Sequence, residues 1–220
     1  GPGRTAVSEG FASFREFYAG CEIKELAPQL EIVDLEWLNE EGLLRDADEA
    51  QRAARHFCAK EVDAVFCLHC NFGTEEAVAL ATKKIGKPVL LWGPRDEAPG
   101  ADGARLRDSQ CGLFATSKVM QRMGVKFTYI TSSRLDTPVF ACGFLNFLRA
   151  ADAVKHFLGA RIGQVSTRPR DFYSVIVNEG ELLEKFGIQT IPVDLGKIVA
   201  AVKALLATPT AQLKDTAAGM

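Results

Sequence analysis

Short apolar runs alternate along this chain with longer runs whose apolar residues recur at helical spacing, and that alternation limits the possible folds most strongly. Continuous apolar runs are typical of strands buried on both faces, and spacings of three and four residues are typical of helices. The alternation therefore predicts βαβ units and a mostly parallel sheet. We predict strands at 30–35, 63–68, 88–92, 125–130, 161–165 and 188–193, and helices at 47–60, 74–85, 109–123, 138–158, 178–186 and 195–206.

Glycines just ahead of predicted strands support the α/β class, as in Ile85-Gly86-Lys87-Pro88. We predict a doubly wound, mostly parallel sheet flanked by helices, Rossmann- or flavodoxin-like, in residues 1–158. Residues 159–220 restart with only two strands, too few for an independent core, and are expected to begin a second α/β domain that is cut short. A short strand at 5–7, a helix at 10–19 and a frayed tail at 207–220 complete the prediction.

Composition excludes several classes of protein. The 220 residues carry 26 Lys+Arg and 28 Asp+Glu, a net charge of −2, so neither nucleic acid nor an anionic membrane is an expected partner. Neither a membrane span nor a signal peptide is expected, because no apolar run is long enough. The six scattered cysteines predict reduced, buried thiols in a cytoplasmic protein rather than a disulfide framework.

Polar residues cluster after the predicted strand 63–68, in the segment Cys67–Glu76. Loops at the carboxyl ends of parallel strands form the binding crevice of such folds. Gly73 would let the backbone approach a ligand closely, although this segment could equally be no more than a helix start capped by Thr74. Cys67-x-x-Cys70 is a weak redox signal because Cys67 lies inside the strand, and a zinc site there lacks a fourth ligand.

Two further loops follow predicted strands. The loop at 92–108 is long, and such loops are usually functional or disordered. Its Arg107, with Gln110 beyond it, could hydrogen-bond hydroxyls or anions, unless the loop is merely solvated and Asp108 or Ser109 caps the next helix. The loop at 165–173 carries Arg168, which could bind an anionic or polyhydroxylated ligand. No glycine-rich phosphate loop is present.

Four segments together resemble the L-fucose/L-arabinose isomerase-like family of aldose–ketose isomerases. They occur in the family's order and spacing: Asn71-Phe72-Gly73-Thr74-Glu75-Glu76-Ala77-Val78, Asp96-Glu97-Ala98-Pro99-Gly100, Arg107-Asp108-Ser109-Gln110-Cys111-Gly112, and Ala160-Arg161-Ile162-Gly163 followed by Arg168-Pro169. The resemblance covers about Gly10 to Leu195 and corresponds to the N-terminal part of a family member. It implies a cytoplasmic homo-oligomer of carbohydrate metabolism, an intramolecular oxidoreductase that uses Mn²⁺ or another divalent metal bound by later domains.

The resemblance also implies which residues face the sugar, since the first domain of one subunit covers a neighbour's active site. His69 falls where one branch of the family has an aromatic residue, and Gln110 falls where the arabinose branch has a substrate-facing Gln. The substrate-binding residues that we expect are His69, Asn71, Phe72, Gly73, Glu75, Arg107, Gln110 and Arg168. Because the resemblance puts the metal-binding region after this chain, we assign no catalytic residue, metal ligand or cofactor within it.

Three hypotheses follow. The first is a substrate-covering, oligomer-forming N-terminal region of a sugar isomerase, inactive on its own. The second is a stand-alone α/β module that binds a polyol or a sugar acid without catalysis. The third is a redox or metal protein that uses Cys67 and Cys70. A natural gene product that continues beyond Met220 would favour the first over the second, and thiol titration with metal analysis tests the third.

Overall fold

A computed structural model of the chain describes residues 26–105 and 107–207. The described residues fall into two compact units, which divide between Asp152 and Ala153. The domain boundary after residue 158 stays a prediction. The predicted strand at 5–7, the helix at 10–19 and nearly all of the tail at 207–220 lie outside the described residues.

The first unit contains a three-stranded parallel sheet, which confirms the α/β class. The strands lie in sequential order β1-β2-β3, with Val65 opposite Val89 and Leu90 opposite Thr128. Its elements are α1 (Ala47–Ala59), β1 (Val65–Leu68), α2 (Glu75–Ile85), β2 (Val89–Trp92), α3 (Ser109–Arg122), β3 (Thr128–Tyr129) and most of α4 (Pro138–Phe157), which continues past Asp152.

Strand β2 is buried on both faces, as its continuous apolar run predicts. Leu90 and Trp92 belong to a cluster with side chains from α4, namely Phe140, Phe144 and Phe147. Val89 and Leu91 belong to a second cluster, with Ala54 of α1, Ala79 of α2 and Met120 of α3. This alternation covers the sheet with helices on both sides, and the loops that follow each strand begin at its carboxyl edge.

The second unit is a βαβ unit followed by one more helix. It contains β4 (Arg161–Val165), a 3₁₀ turn (Tyr173–Val175), α5 (Glu179–Phe186), β5 (Gln189–Val193) and α6 (Leu195–Ala207). β4 and β5 pair in parallel, with Gly163 opposite Ile191. The expected strand at 161–165 is confirmed, and the one at 188–193 begins one residue later than predicted.

Two strand predictions were wrong in whole or in part. Residues 30–35 form no strand. Leu30 and Ile32 pack against the α4-side cluster, but no strand within 26–105 and 107–207 pairs with them, and Asp34 starts a turn by accepting the Glu36 N–H at 3.1 Å. The run at 125–130 is a strand only at Thr128–Tyr129, because the Val125 N–H closes helix α3 by donating to Met120 O at 2.9 Å. Apolar character alone does not supply a ladder partner.

The cysteine prediction also needs correction. The five described cysteines are free thiols, but Cys58, Cys111 and Cys142 are exposed rather than buried. Each lies on a helix, where a position next to apolar residues in sequence can still face outward. In the described ranges, every helix is too short or too polar to cross a membrane.

Candidate functional site

The loops that follow β1, β2 and β3 meet at one edge of the sheet, because the strands are parallel. Backbone bonds tie them together beyond the strands: His69 N–H donates to Trp92 O at 2.8 Å, and Arg95 N–H donates to Ser133 O at 3.0 Å. We call residues 69–75, 93–97 and 107–112 together the edge cluster. It contains every predicted sugar-binding residue except Arg168.

Asn71 joins the first loop to the beginning of α3. Its Oδ1 accepts the N–H of Phe72 at 2.9 Å and the N–H of Asp108, 37 residues along the chain, at 3.0 Å. Gly112 allows the approach: a Cβ there would lie 2.2 Å from Phe72 O and 2.8 Å from Asn71 O. A side chain at position 112 would therefore push the two loops apart.

Asp96 caps helix α3 from the long loop. Its Oδ1 lies 3.0 Å from Ser109 N and 2.6 Å from Ser109 Oγ, and its Oδ2 accepts the Gln110 N–H at 3.3 Å. The alternative that the sequence left open, a cap by Asp108 or Ser109, is not what forms: Asp108 occupies the N-cap position, but its side chain makes no cap bond. The segment Asp96–Gly100 resembled the family in sequence. The spacing of its residues did not reveal that Asp96 caps helix α3.

Arg107 holds the same loop in place. Its Nε donates to Glu97 Oε2 at 2.9 Å, and its Nη2 donates to Glu97 Oε1 and, at 3.2 Å, to Arg95 O. This hydrogen-bonded guanidinium lowers the pKa of the Glu97 carboxyl. Arg107 thus uses Nε and Nη2 to bind groups of the loop itself. Nη1 is the group with which Arg107 could donate to a ligand.

His69 is a buried, neutral side chain at the base of the cluster. It is 4% exposed, and its Nε2 has no hydrogen-bond partner within the described part of the chain. Burial lowers its pKa from 6.5 to about 4, while a hydrogen bond to the backbone of Phe72 acts in the opposite direction. The ring lies beside Gly73, where a Cβ would lie 3.6 Å from Nδ1.

The edge cluster lies inside a region that matches a known domain. A family model described as "Fucose/sulfoquinovose isomerase, N-terminal domain" matches residues 14–158. The chain belongs to this family. Among curated proteins, none matches the chain. The match confirms the family resemblance and covers the three sequence segments that lie before residue 158.

The isomerase-family domain presents only part of the predicted site to solvent. Phe72 is 47% exposed and Gln110 is also exposed, so both are accessible to a sugar. Glu75 is half-buried in the first turn of α2. His69 is buried and would act on a ligand only through the loop that it supports. The role of each residue as a sugar contact stays a prediction.

Arg168 lies in the second unit of this isomerase-family chain. Its Nη1 donates to Pro169 O at 2.8 Å and to Arg170 O at 2.9 Å, and its guanidinium carbon lies 5.6 Å from the centroid of the Tyr173 ring. These bonds close the loop after β4 upon itself. Whether Arg168 also reaches a ligand stays a prediction.

The redox and metal hypotheses find little support in this domain. Cys67 and Cys70 are half-buried. Burial raises the pKa of the Cys67 thiol to about 12 and that of the Cys70 thiol to about 11, which disfavours the thiolate form that redox chemistry needs. The Mn²⁺ that the resemblance implies does not fit the residues in hand: within 26–105 and 107–207, no group of three or more His, Cys, Asp or Glu side chains is arranged to hold a metal ion. The cluster can offer hydrogen bonds and an aromatic face.

Proposed function

We propose that this chain is the substrate-covering, oligomer-forming N-terminal region of a cytoplasmic aldose–ketose isomerase, with a doubly wound sheet in its first unit. On this proposal the edge cluster contacts the open-chain sugar, and the chain converts no sugar on its own. One observation carries the proposal: the two loops of the edge cluster are fixed to each other by Asn71, within the region that matches the family.

The exposed groups of the cluster suit a polyhydroxylated ligand. The Phe72 ring offers an apolar face to the C–H side of a sugar, and the Gln110 amide offers both a donor and an acceptor to hydroxyl groups. Gln110 is held at the first turn of α3 by its N–H bond to Asp96 Oδ2. A site of this kind orients a substrate through neutral hydrogen bonds, and its affinity alone is expected to be weak.

An NMR titration of the 220-residue chain with L-fucose, L-arabinose, D-arabinose and sulfoquinovose tests the proposal. We expect millimolar binding by at least one sugar, with amide shifts confined to residues 69–75 and 107–112. Gln110→Ala should abolish most of the shift. Gln121→Ala is the matched control, because Gln121 is exposed near the other end of the same helix. Shifts unaffected by Gln110→Ala, or no binding, would contradict the proposal.

A ketose-formation assay with Mn²⁺ and the same sugars tests the absence of catalysis. We expect no turnover above a blank that contains metal alone. Metal-dependent turnover would overturn the view that the chain is inactive by itself. Tight binding of a polyol or sugar acid without turnover would instead favour the stand-alone binding module.

A further inference from the structure

Helix α3, which the structure describes at every position, exposes one large apolar side chain. Phe114 is 65% exposed and belongs to neither of the clusters that cover the sheet, whereas its neighbour Leu113 packs against the second of them. The residues four positions before and after Phe114, Gln110 and Lys118, are exposed as well. The outward face of α3 is therefore an aromatic ring between two polar side chains.

The spacing places this ring beside the sugar site. Residues four apart on a helix are neighbours on one face, with Cβ atoms about 5–6 Å from each other. Helical side chains lean toward the amino end of their helix, so a residue covers the turn that precedes it. The ring of Phe114 thus covers the turn of Gln110, which the bond to Asp96 Oδ2 holds in place. The aromatic surface is continuous with the amide that the edge cluster offers.

The surroundings of Phe114 fit a sugar better than a protein or a lipid. The core of a protein interface gathers several apolar side chains, and a lipid surface needs a wider apolar face still. Here one aromatic ring is flanked by an amide and an ammonium group. A closed sugar ring has a matching pattern, since it presents C–H groups on one face and hydroxyl groups around its rim.

We propose that Phe114 stacks against the C–H face of a closed sugar ring while Gln110 hydrogen-bonds the hydroxyls at its rim. The face of an aromatic ring is electron-rich and attracts the polarised C–H groups of a sugar. The open-chain form has no flat C–H face, so Phe114 favours the ring form. The inference rests on the proposed sugar site and adds a residue that selects the form in which the sugar is first bound.

Two ligands separate the ring form from the open chain. Methyl α-L-fucoside has a ring that cannot open, and L-fucitol is the corresponding open-chain alditol. Each is titrated into the 220-residue chain while the aromatic ¹H–¹³C signals of Phe114 are followed by NMR. These signals are identified by their absence from the spectrum of Phe114→Leu. We expect methyl α-L-fucoside to shift them and L-fucitol to leave them unchanged.

Two substitutions isolate the contribution of the aromatic face. Phe114→Leu keeps an apolar side chain but removes the face, and should raise the Kd for methyl α-L-fucoside about threefold to tenfold. The Kd for L-fucitol should stay within about twofold. Phe114→Trp is the matched control, because it keeps an aromatic face at the same exposed position and should bind both ligands like the unmodified chain.

The outcomes separate this inference from the proposed function. The inference fails if methyl α-L-fucoside does not bind, or if Phe114→Leu leaves its Kd unchanged or weakens both ligands equally. A loss of affinity in Phe114→Trp equal to that in Phe114→Leu would overturn it too. Binding of L-fucitol that does not respond to Gln110→Ala contradicts the proposed function, whatever the result at Phe114. Phe114→Leu that alters sedimentation but not sugar affinity would overturn the inference and indicate a protein partner.

Discussion

The carboxylate of Asp96 caps the helix that begins at Ser109, 13 residues further along the chain. Asp96 Oδ1 lies 3.0 Å from the Ser109 nitrogen and 2.6 Å from its hydroxyl oxygen, which in turn lies 2.8 Å from Pro94 O. An N-cap of this kind is normally supplied by the residue just before the helix. Here the cap also fixes the long loop against α3 and so positions Gln110.

Replacement of Asp96 by alanine should therefore destabilise the chain more than replacement of the local N-cap residue. Asp96→Ala removes a carboxylate that satisfies two helix N–H groups, and should lower the free energy of unfolding by about 1–2 kcal/mol. Asp108→Ala is the matched control: Asp108 makes no cap bond, and its loss should cost less than about 0.5 kcal/mol. Urea unfolding measures both, and a larger cost at Asp108 would contradict the assignment.

The sequence predicted the elements whose signals are local. Strand 161–165 was predicted to the residue, and helix α2 ends at Gly86 in the left-handed conformation, as Ile85-Gly86-Lys87-Pro88 indicated. The run at 30–35 looked like another buried strand, but strand formation needs a ladder partner, which no pattern within the run reveals. Local sequence signals thus predict where helices end, but they do not predict which strands pair.

The candidate site was likewise predictable only in part from the sequence. The position of the polar loops followed from their place after predicted strands, and the structure groups them at one edge of the sheet. The bonds of Asn71 to Asp108 and of Asp96 to Ser109 join residues 37 and 13 positions apart. Such contacts depend on how the strands are ordered, so residue type and spacing could not assign them.

We expect Gly112 not to tolerate a side chain, because it lies against the backbone of the loop that carries Phe72. A Cβ at Gly112 would lie 2.2 Å from Phe72 O, a backbone atom that cannot rotate away. Gly112→Ala should cost about 1–3 kcal/mol and displace the loop 69–74, with a loss of sugar-induced NMR shifts there. The displacement should appear as changed amide shifts of residues 69–74 before any sugar is added.

Gly180→Ala is the control for that substitution. Gly180 also lies in a helix, α5, but its Cβ would meet only Asn178 Oδ1, at 3.4 Å. Alanine favours the helix over glycine by up to about 1 kcal/mol, so this variant should be neutral or more stable. An equal loss of stability in the two variants would show that the cost at Gly112 comes from the helix and not from contact with Phe72.

His69 should make the stability of the chain depend on pH between its unfolded and folded pKa values. Its pKa falls from 6.5 to about 4 on folding, chiefly through burial. Between these values the unfolded chain binds a proton that the folded chain does not, so the free energy of unfolding decreases as pH falls from 6.5 toward 4. Above pH 6.5 the residue contributes no pH dependence. The full loss amounts to about 3 kcal/mol.

Urea unfolding of the unmodified chain and of His69→Gln at about pH 7 and pH 5 isolates this contribution. Carboxyl groups affect both proteins alike, so their difference reports His69: the unmodified chain should lose about 2 kcal/mol more than the variant. An NMR titration of the His69 imidazole should give a midpoint near 4. Equal losses, together with a midpoint near 6.5, would mean that water reaches Nε2, and that the base of the edge cluster is open rather than closed.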